Sequence, residues 1–518
     1  MKAVEENQWE VAYQQADLGL QLNPQNEEGW RIMARVYTEA RMDRALFYWQ
    51  ELEKRKKLTQ TDRGYYLQLL LILKRLDLAA KQWEALRGFG DRLSEREIIL
   101  GIEYYRLTQK NQEAIALLRK VSHESHLKYQ YLLGQFLLFD SSLESRKEGE
   151  GILRRLSNSN EIFGIQSAEL LLGIKELSEQ DFVIFTKKIQ GHPLYSFRYE
   201  LLILENEIRR QPGGSGVRIE KVFLDWNKGL EKEEDRLLLG QWLNRQKQYN
   251  LTLKLLSDSV SKKSAALLLV RLDAAAAQKK WALVLDCLNL QPSPLEPYLI
   301  ELFRARSFME LKRNREAEAA WEKTFHLVKY QPIPLQFAAD YAVQVGAFSE
   351  AKRMYLQMSR FPNYLLESQR QLLYLAEKEG KMSEMILCLE RILELTPESL
   401  AAKNDLAYIY LLENREIDRC LDIAKSLVKE DPTSLAYRST LALAYLKRGE
   451  SREAFQVYHG LSIDWKMASP VARWIFYLTL KANHQEEFAS RFEGYIKGIT
   501  IRKQEKELIQ LLSSPIKQ

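Results

Sequence analysis

The stretch LALAYLKRGESREAFQVY, residues 441–458, decides the fold once it is set against the chain before it. Its Ala454 is the last rung of a ladder, Ala317, Ala351, Met385, Cys420 and Ala454, whose spacings are 34, 34, 35 and 34 residues. Four residues after each rung come Trp321, Tyr355, Leu389, Ala424 and Tyr458. Twelve or thirteen before each stand Ala305, Ala339, Leu373, Ala407 and Ala442, followed three residues later by Phe308, Ala342, Ala376, Tyr410 and Tyr445. Five before the ladder lies a turn position holding Lys312, Gly346, Gly380 and Gly449, with Asn414 one residue off that register. Pro397 and Pro432 close two of the units.

Each position has a physical reason. Small side chains recur where two helices cross closely, and large ones a turn away fill the space beside them on the same face. Glycine or asparagine allows the left-handed backbone of a tight helix-to-helix turn. A proline after the second helix cannot continue it, so the chain swings into the next unit. One hairpin cannot bury its own apolar face, so stacked neighbours must do it for one another.

This small, large and aromatic code over 34 residues resembles the tetratricopeptide repeat. Five units run in phase over about 295–462. The resemblance implies an all-α, right-handed solenoid of stacked helix-turn-helix units. The 35-residue pentatricopeptide repeat is the nearest RNA-reading relative, but the recurring small and aromatic positions fit the tetratricopeptide form better.

Looser units extend toward the N-terminus. Trp30, Met33, Ala34 and Tyr37 with Ala45 and Trp49 form one, and Ala79 or Ala80 with Trp83 mark a further second helix. Leu100, Gly101, Tyr104 and Ala114 make another, and Leu133-Gly134 and Leu239-Gly240 each open one more. Between about 150 and 235 the code degenerates. The glycine-rich Gln211–Gly216 interrupts it and reads as a loop. The expected organisation is therefore an N-terminal superhelix over 1–210, a flexible loop over 211–217, a C-terminal superhelix over 218–501, and a polar-faced capping helix and tail over 502–518.

Composition agrees with a helical scaffold. Thirteen prolines and 23 glycines in 518 residues are too few for disorder or a turn-rich β-fold. Lys+Arg exceed Asp+Glu by only 76 to 70 and the signs are interleaved, so no basic stripe marks a nucleic-acid binder. Cys287, Cys388 and Cys420 are far apart inside apolar helical patterns, which fits neither a disulfide framework nor a zinc motif. No run reaches 18 apolar residues.

Chemistry is sparse. His123 and His126 share a helical spacing without a third ligand nearby, and the other histidines are scattered. No phosphate-cradling, dinucleotide-binding, zinc-protease or nucleophile-elbow motif occurs. The expectation is no catalytic residue, no metal, no cofactor, and no enzymatic activity. In tetratricopeptide proteins the first helices line a groove that takes peptides or partner helices. Their groove-facing fifth and ninth positions hold Asn404 and Tyr408, then Ser439 and Leu443, and Arg31 and Arg35 near the N-terminus. The repeated Lys/Asn grid that such proteins use for chaperone tails is absent. Arg31 and Arg35 could instead meet an acidic partner. The function that follows is a scaffold or adaptor for one or more proteins, bacterial in style. A nucleic-acid-binding solenoid or a structural subunit of a larger complex are the alternatives.

The start of the chain reads as half a hairpin. Ala12, Ala16, Gly19 and Pro24 follow the second-helix pattern, and Asn7 falls on the turn position. That register places Met1 near the ninth residue of a first helix. It raises the expectation of a segment upstream, and of a protein tethered to a bacterial inner membrane.

Overall fold

The computed structural model describes residue 6, residues 8–123 and residues 126–498. Met1, Asn7 and the expected capping helix and tail at 502–518 lie outside the described residues. Among the described residues the chain is all-α, with thirty α-helices and no strand. The chain forms two compact units, 1–242 and 243–518.

The first unit contains α1 (Trp9–Leu22), α2 (Glu27–Glu39), α3 (Ala45–Lys54), α4 (Gln60–Ile72) and α5 (Leu76–Arg87). It continues through α6 (Glu95–Leu107), α7 (Asn111–Val121), α8 (Leu127–Leu138), α9 (Leu143–Leu156) and α10 (Ile162–Leu172). Then come α11 (Glu179–Gln190), α12 (Phe197–Arg210), α13 (Ser215–Gly229) and α14 (Glu233–Arg245), within which the division falls. The second unit follows with α15 (Tyr249–Leu255), α16 (Asp258–Ser261), α17 (Ala265–Ala277), α18 (Trp281–Leu288) and α19 (Pro297–Glu310). After these come α20 (Asn314–Val328), α21 (Pro332–Gln344), α22 (Phe348–Met358), α23 (Leu365–Glu379), α24 (Met382–Leu395) and α25 (Leu400–Leu412). The last are α26 (Ile417–Glu430), α27 (Leu435–Lys447), α28 (Ser451–Gln456), α29 (Pro470–Ala482) and α30 (Glu486–Ile496).

Within each unit most successive helices pack against one another, as α1 does on α2, α8 on α9 and α19 on α20. The arrangement within each unit is a solenoid of helical repeats. Ala317, Ala351, Cys420, Ala454, Ala407 and Ala442 are all buried, and so are Trp321, Tyr355 and Tyr458 beside them. Tyr445 is half-buried against the same core. Ala12 and Ala16 of α1 pack against Met33 and Val36 of α2, so the opening half-hairpin is joined to the following unit.

The turns explain the register. Lys312, Gly346, Gly380, Asn414 and Gly449 all have positive φ, between 56° and 80°. The residue after each closes back over five residues, as in Arg313 N–H to the Phe308 carbonyl and Glu450 N–H to the Tyr445 carbonyl, both 2.9 Å. The same left-handed turn occurs at Arg41, Lys74 and Gln109 in the first unit and at Lys247, Lys279 and His484 in the second. Hairpin geometry thus persists where glycine does not.

The links between hairpins are equally regular. After Pro24, Pro397 and Pro432 come Asn26, Ser399 and Ser434, each two residues on, whose side chains accept from the first-turn N–H groups of α2, α25 and α27. Proline ends the preceding helix and the cap starts the next.

The degenerate region keeps its helices and changes its turns. Among the described residues from 110 to 246, only Gly214 has positive φ. Just before this region, a close crossing is made by glycines. A methyl group on Gly149 would lie 2.8 Å from the Gly134 carbonyl oxygen, so α8 and α9 touch backbone to backbone. The Gln211–Gly216 stretch joins α12 to α13, with Ser215 and Gly216 already helical and residues 211–214 forming the loop. It lies within the first unit.

Candidate functional site

Reactive chemistry is not gathered anywhere among the described residues. No group of three or more His, Cys, Asp or Glu side chains there is arranged to hold a metal ion. His123 and His126 have ring centroids 6.1 Å apart. Cys287, Cys388 and Cys420 are free and buried. Burial pushes the thiols of Cys388 and Cys420 up to about 11, so little nucleophilic thiolate exists at neutral pH. No helix there is long and apolar enough to cross a membrane.

In the first unit, Arg31 and Arg35 of α2 share a face and converge on the chain's own Asp62. Arg31 Nε lies 2.7 Å from Asp62 Oδ2 and Arg35 Nη2 lies 2.6 Å from Oδ1. Asp62 is fully buried at the start of α4, where it forms a capping box with Thr59. Burial pushes its carboxyl up, but hydrogen bonds from Arg35, Arg31 and Thr59 outweigh this and hold it below the ordinary carboxylate range. The two arginines therefore tie one hairpin to the next. Sequence spacing placed them on one face but gave no sign of Asp62, whose own capping pattern is local to α4.

The second unit presents a groove of about 810 Å³, open to solvent, lined chiefly by four successive first helices, α23, α25, α27 and α29. Asn404 and Tyr408, one turn apart on α25, both line it. So do Ser439 and Thr440 of α27, whereas Leu443 is wholly buried in the core. Short side chains at Ala436, Ser439 and Ala472 leave the space open. Leu389, Ile409 and Ile475, all buried, supply an apolar floor.

Asn404 is the anomaly in this groove. It is only 7% exposed, and its Oδ1 has no hydrogen-bond partner, while Nδ2 donates to Asp405 Oδ1 at 3.3 Å. A buried carbonyl oxygen without a donor costs about 1–3 kcal/mol and is met by whatever donor enters the groove. Among the described residues, the charged ones lining the groove are Glu377 and Asp405, and no lysine, arginine or histidine of those residues lines it. Neither carboxylate recurs at the repeat period, so a search by period passes over both.

The groove is thus a mostly apolar trough with an amide acceptor in its wall and negative charge along it. It can hold an extended or helical segment that brings N–H donors and positive charge.

No family model matches the chain, and no curated protein does. Among solved structures, the APC/C hetero-tetramer Cut9-Hcn1 aligns over 96% of this chain and 94% of that one, at 15% identity and a TM-score of 0.25. The pentatricopeptide repeat protein PPR10 from maize aligns over 93% of this chain and 76% of its own, at 11% identity and a TM-score of 0.39. At such scores neither likeness says anything about function, and the fold reading rests on the helices and turns of this chain.

Proposed function

We propose that this protein is a non-catalytic scaffold that binds a cationic segment of a partner protein in the groove of its second unit. The observation that carries this reading is the buried, unsatisfied Asn404 Oδ1 in a groove whose charged lining is wholly acidic. An incoming backbone N–H would satisfy the amide, and lysine or arginine on the partner would answer Glu377 and Asp405. The same carboxylates disfavour nucleic acid here, because phosphates would be set against like charge.

The test is affinity capture from native extract with the full chain, run beside Asn404→Ala and Asp405→Lys variants and read by quantitative mass spectrometry. Partners held by the unmodified chain and lost at least fivefold from both variants support the groove. An identical partner set on all three chains removes it.

A further inference from the structure

A second pocket in the same unit holds an arginine without a counter-charge. It encloses about 630 Å³ among the successive first helices α17, α19 and α21, with Trp281 at the start of α18 in its wall. Arg306 of α19 lines it beside two rings, its guanidinium carbon 5.1 Å from the centroid of Trp281 and 5.9 Å from that of Tyr341. The rings steady the guanidinium but leave most of its five N–H donors unspent. Nη1 donates to the Tyr341 hydroxyl at a long 3.4 Å, and Nε is buried with no hydrogen-bond partner. Among the described residues Arg306 makes no ion pair. The other charged residue of those lining the pocket, Asp273 of α17, is exposed and accepts from Asn244 Nδ2 at 2.9 Å.

Open apolar side chains flank this arginine on both neighbouring first helices. Leu269 of α17 lines the pocket and is 38% exposed. Phe337 of α21 is 47% exposed and stacks on Tyr341, with ring centroids 6.5 Å apart. Ile333, one turn earlier, is also exposed, so Ile333, Phe337 and Tyr341 form a stripe at four-residue spacing. Phe303 meets the Tyr341 ring edge-on at 5.6 Å and fixes it. A stripe of large apolar side chains open to water marks a surface that something covers. One guanidinium among aromatic rings suits a single carboxylate, which takes two of its N–H groups at once, whereas a phosphate calls for more donors. The apolar residues lie to both sides of α19, so the carboxylate belongs to a residue within a chain rather than to a chain end.

We infer that this pocket binds an internal acidic residue of a partner protein, one that carries a large apolar residue two positions to either side. In an extended chain residues two apart face the same way. The carboxylate then meets Arg306 while the flanking side chains cover Leu269 and Phe337. None of the residues lining this pocket lines the groove around Asn404, so the inference goes beyond the groove and does not depend on it. Arg306 follows Ala305 as Tyr408 follows Ala407, the same place in the repeat. The copies between them hold Asp340 and Tyr374 there, so no period announces the arginine.

The test uses the full chain and two fluorescein-labelled, C-terminally amidated peptides, GFSESFG and GFSQSFG, read by fluorescence anisotropy. The unmodified chain is expected to bind the glutamate peptide at least fivefold more tightly than the glutamine peptide, and Arg306→Gln is expected to erase that preference. Equal affinity for the two peptides, binding of neither, or a preference that survives Arg306→Gln overturns the inference. A second measurement, on the unmodified chain, covers a variant that misfolds. The glutamate peptide with benzoylphenylalanine in place of its first phenylalanine should cross-link within 265–310 or 332–344, and labelling only elsewhere overturns the site. The shortened peptide GFSE, with a free C-terminal carboxylate, should bind at least fivefold more weakly than GFSESFG. Equal or tighter binding would mean that the pocket takes a chain end, and overturns the internal residue. Asn404→Ala should leave the affinity for GFSESFG unchanged, which separates this pocket from the groove. A loss in that variant would place the peptide in the groove and overturn the inference, whatever the partner set of the groove variants.

Discussion

Single residues in this chain trade backbone comfort against register. Lys312 holds φ at 59° in a turn where its equivalents Gly346, Gly380 and Gly449 are glycine. The left-handed conformation costs a side-chain-bearing residue about 1–2 kcal/mol, partly offset by the greater freedom glycine gives the unfolded chain. Lys312→Gly should therefore raise stability by about 0.5–1 kcal/mol, measured as a shift in the urea midpoint at unchanged slope. Asp62 is the opposite case, a residue whose loss leaves charge behind. Replacing it by asparagine removes the buried carboxylate that Arg31 and Arg35 share and should cost about 3–5 kcal/mol near neutral pH. The sign with pH follows from its lowered carboxyl. The carboxylate's contribution is complete above the unfolded-chain value of about 4 and is lost as pH falls through the lower folded-state value. The stability gap between Asp62→Asn and the unmodified protein should accordingly hold from pH 7 to about 5 and narrow in more acidic solution, which denaturant titrations at stepped pH will show.

At the scale of elements, what was legible in the sequence was whatever repeats. Ala351 with Tyr355, or Ala454 with Tyr458, announces a second helix because every copy must solve the same crossing problem, and these residues are buried as that problem requires. Position alone also picked out Asn404 and Tyr408, which do line the groove. What was not legible depends on pairings between copies. Asp62 contacts Arg31 and Arg35 from the unit before it, and Glu377 approaches the groove from a helix two along from Asp405's. Such partners are fixed by stacking, which a reading along one strand of sequence does not contain. The degenerate stretch is illegible for a related reason. Just before it α8 and α9 cross through Gly134 and Gly149, and within it only Gly214 among the described residues takes the left-handed conformation, so the letters that mark crossings and turns elsewhere are missing. Glycines of this kind make a sharp prediction at Gly101. A methyl group there would lie 2.1 Å from the Trp83 ring on α5, so α5 and α6 would have to part. Gly101→Ala should destabilise by about 1–3 kcal/mol and shift Trp83 fluorescence, whereas Gly151→Ala on α9, with open space around it, should change neither.

Across the whole molecule, stability is largely a sum of local terms, because the main helix contacts among the described residues run between neighbouring helices. The first unit has an apolar cluster built around Trp30, Trp49 and Trp83, and the second has one built around Ala407, Cys420 and Ala442. A chain of this kind need not unfold in one step, and damage should stay where it is made. Asp62→Asn should raise amide hydrogen exchange in α2 and α4 by the local equivalent of its cost and leave α25 and α27 unchanged. A core change in the second unit, Ala442→Phe, should do the reverse, since position 442 is wholly buried in a helix crossing. Mass-spectrometric exchange resolved by peptide measures both. Uniform deprotection of all thirty helices by either substitution would mean one cooperative core, contrary to the nearest-neighbour packing. Local deprotection would also bear on binding. The groove spans four consecutive first helices, so loosening any one of them should weaken groove binding, while loosening α2 and α4 should leave it intact.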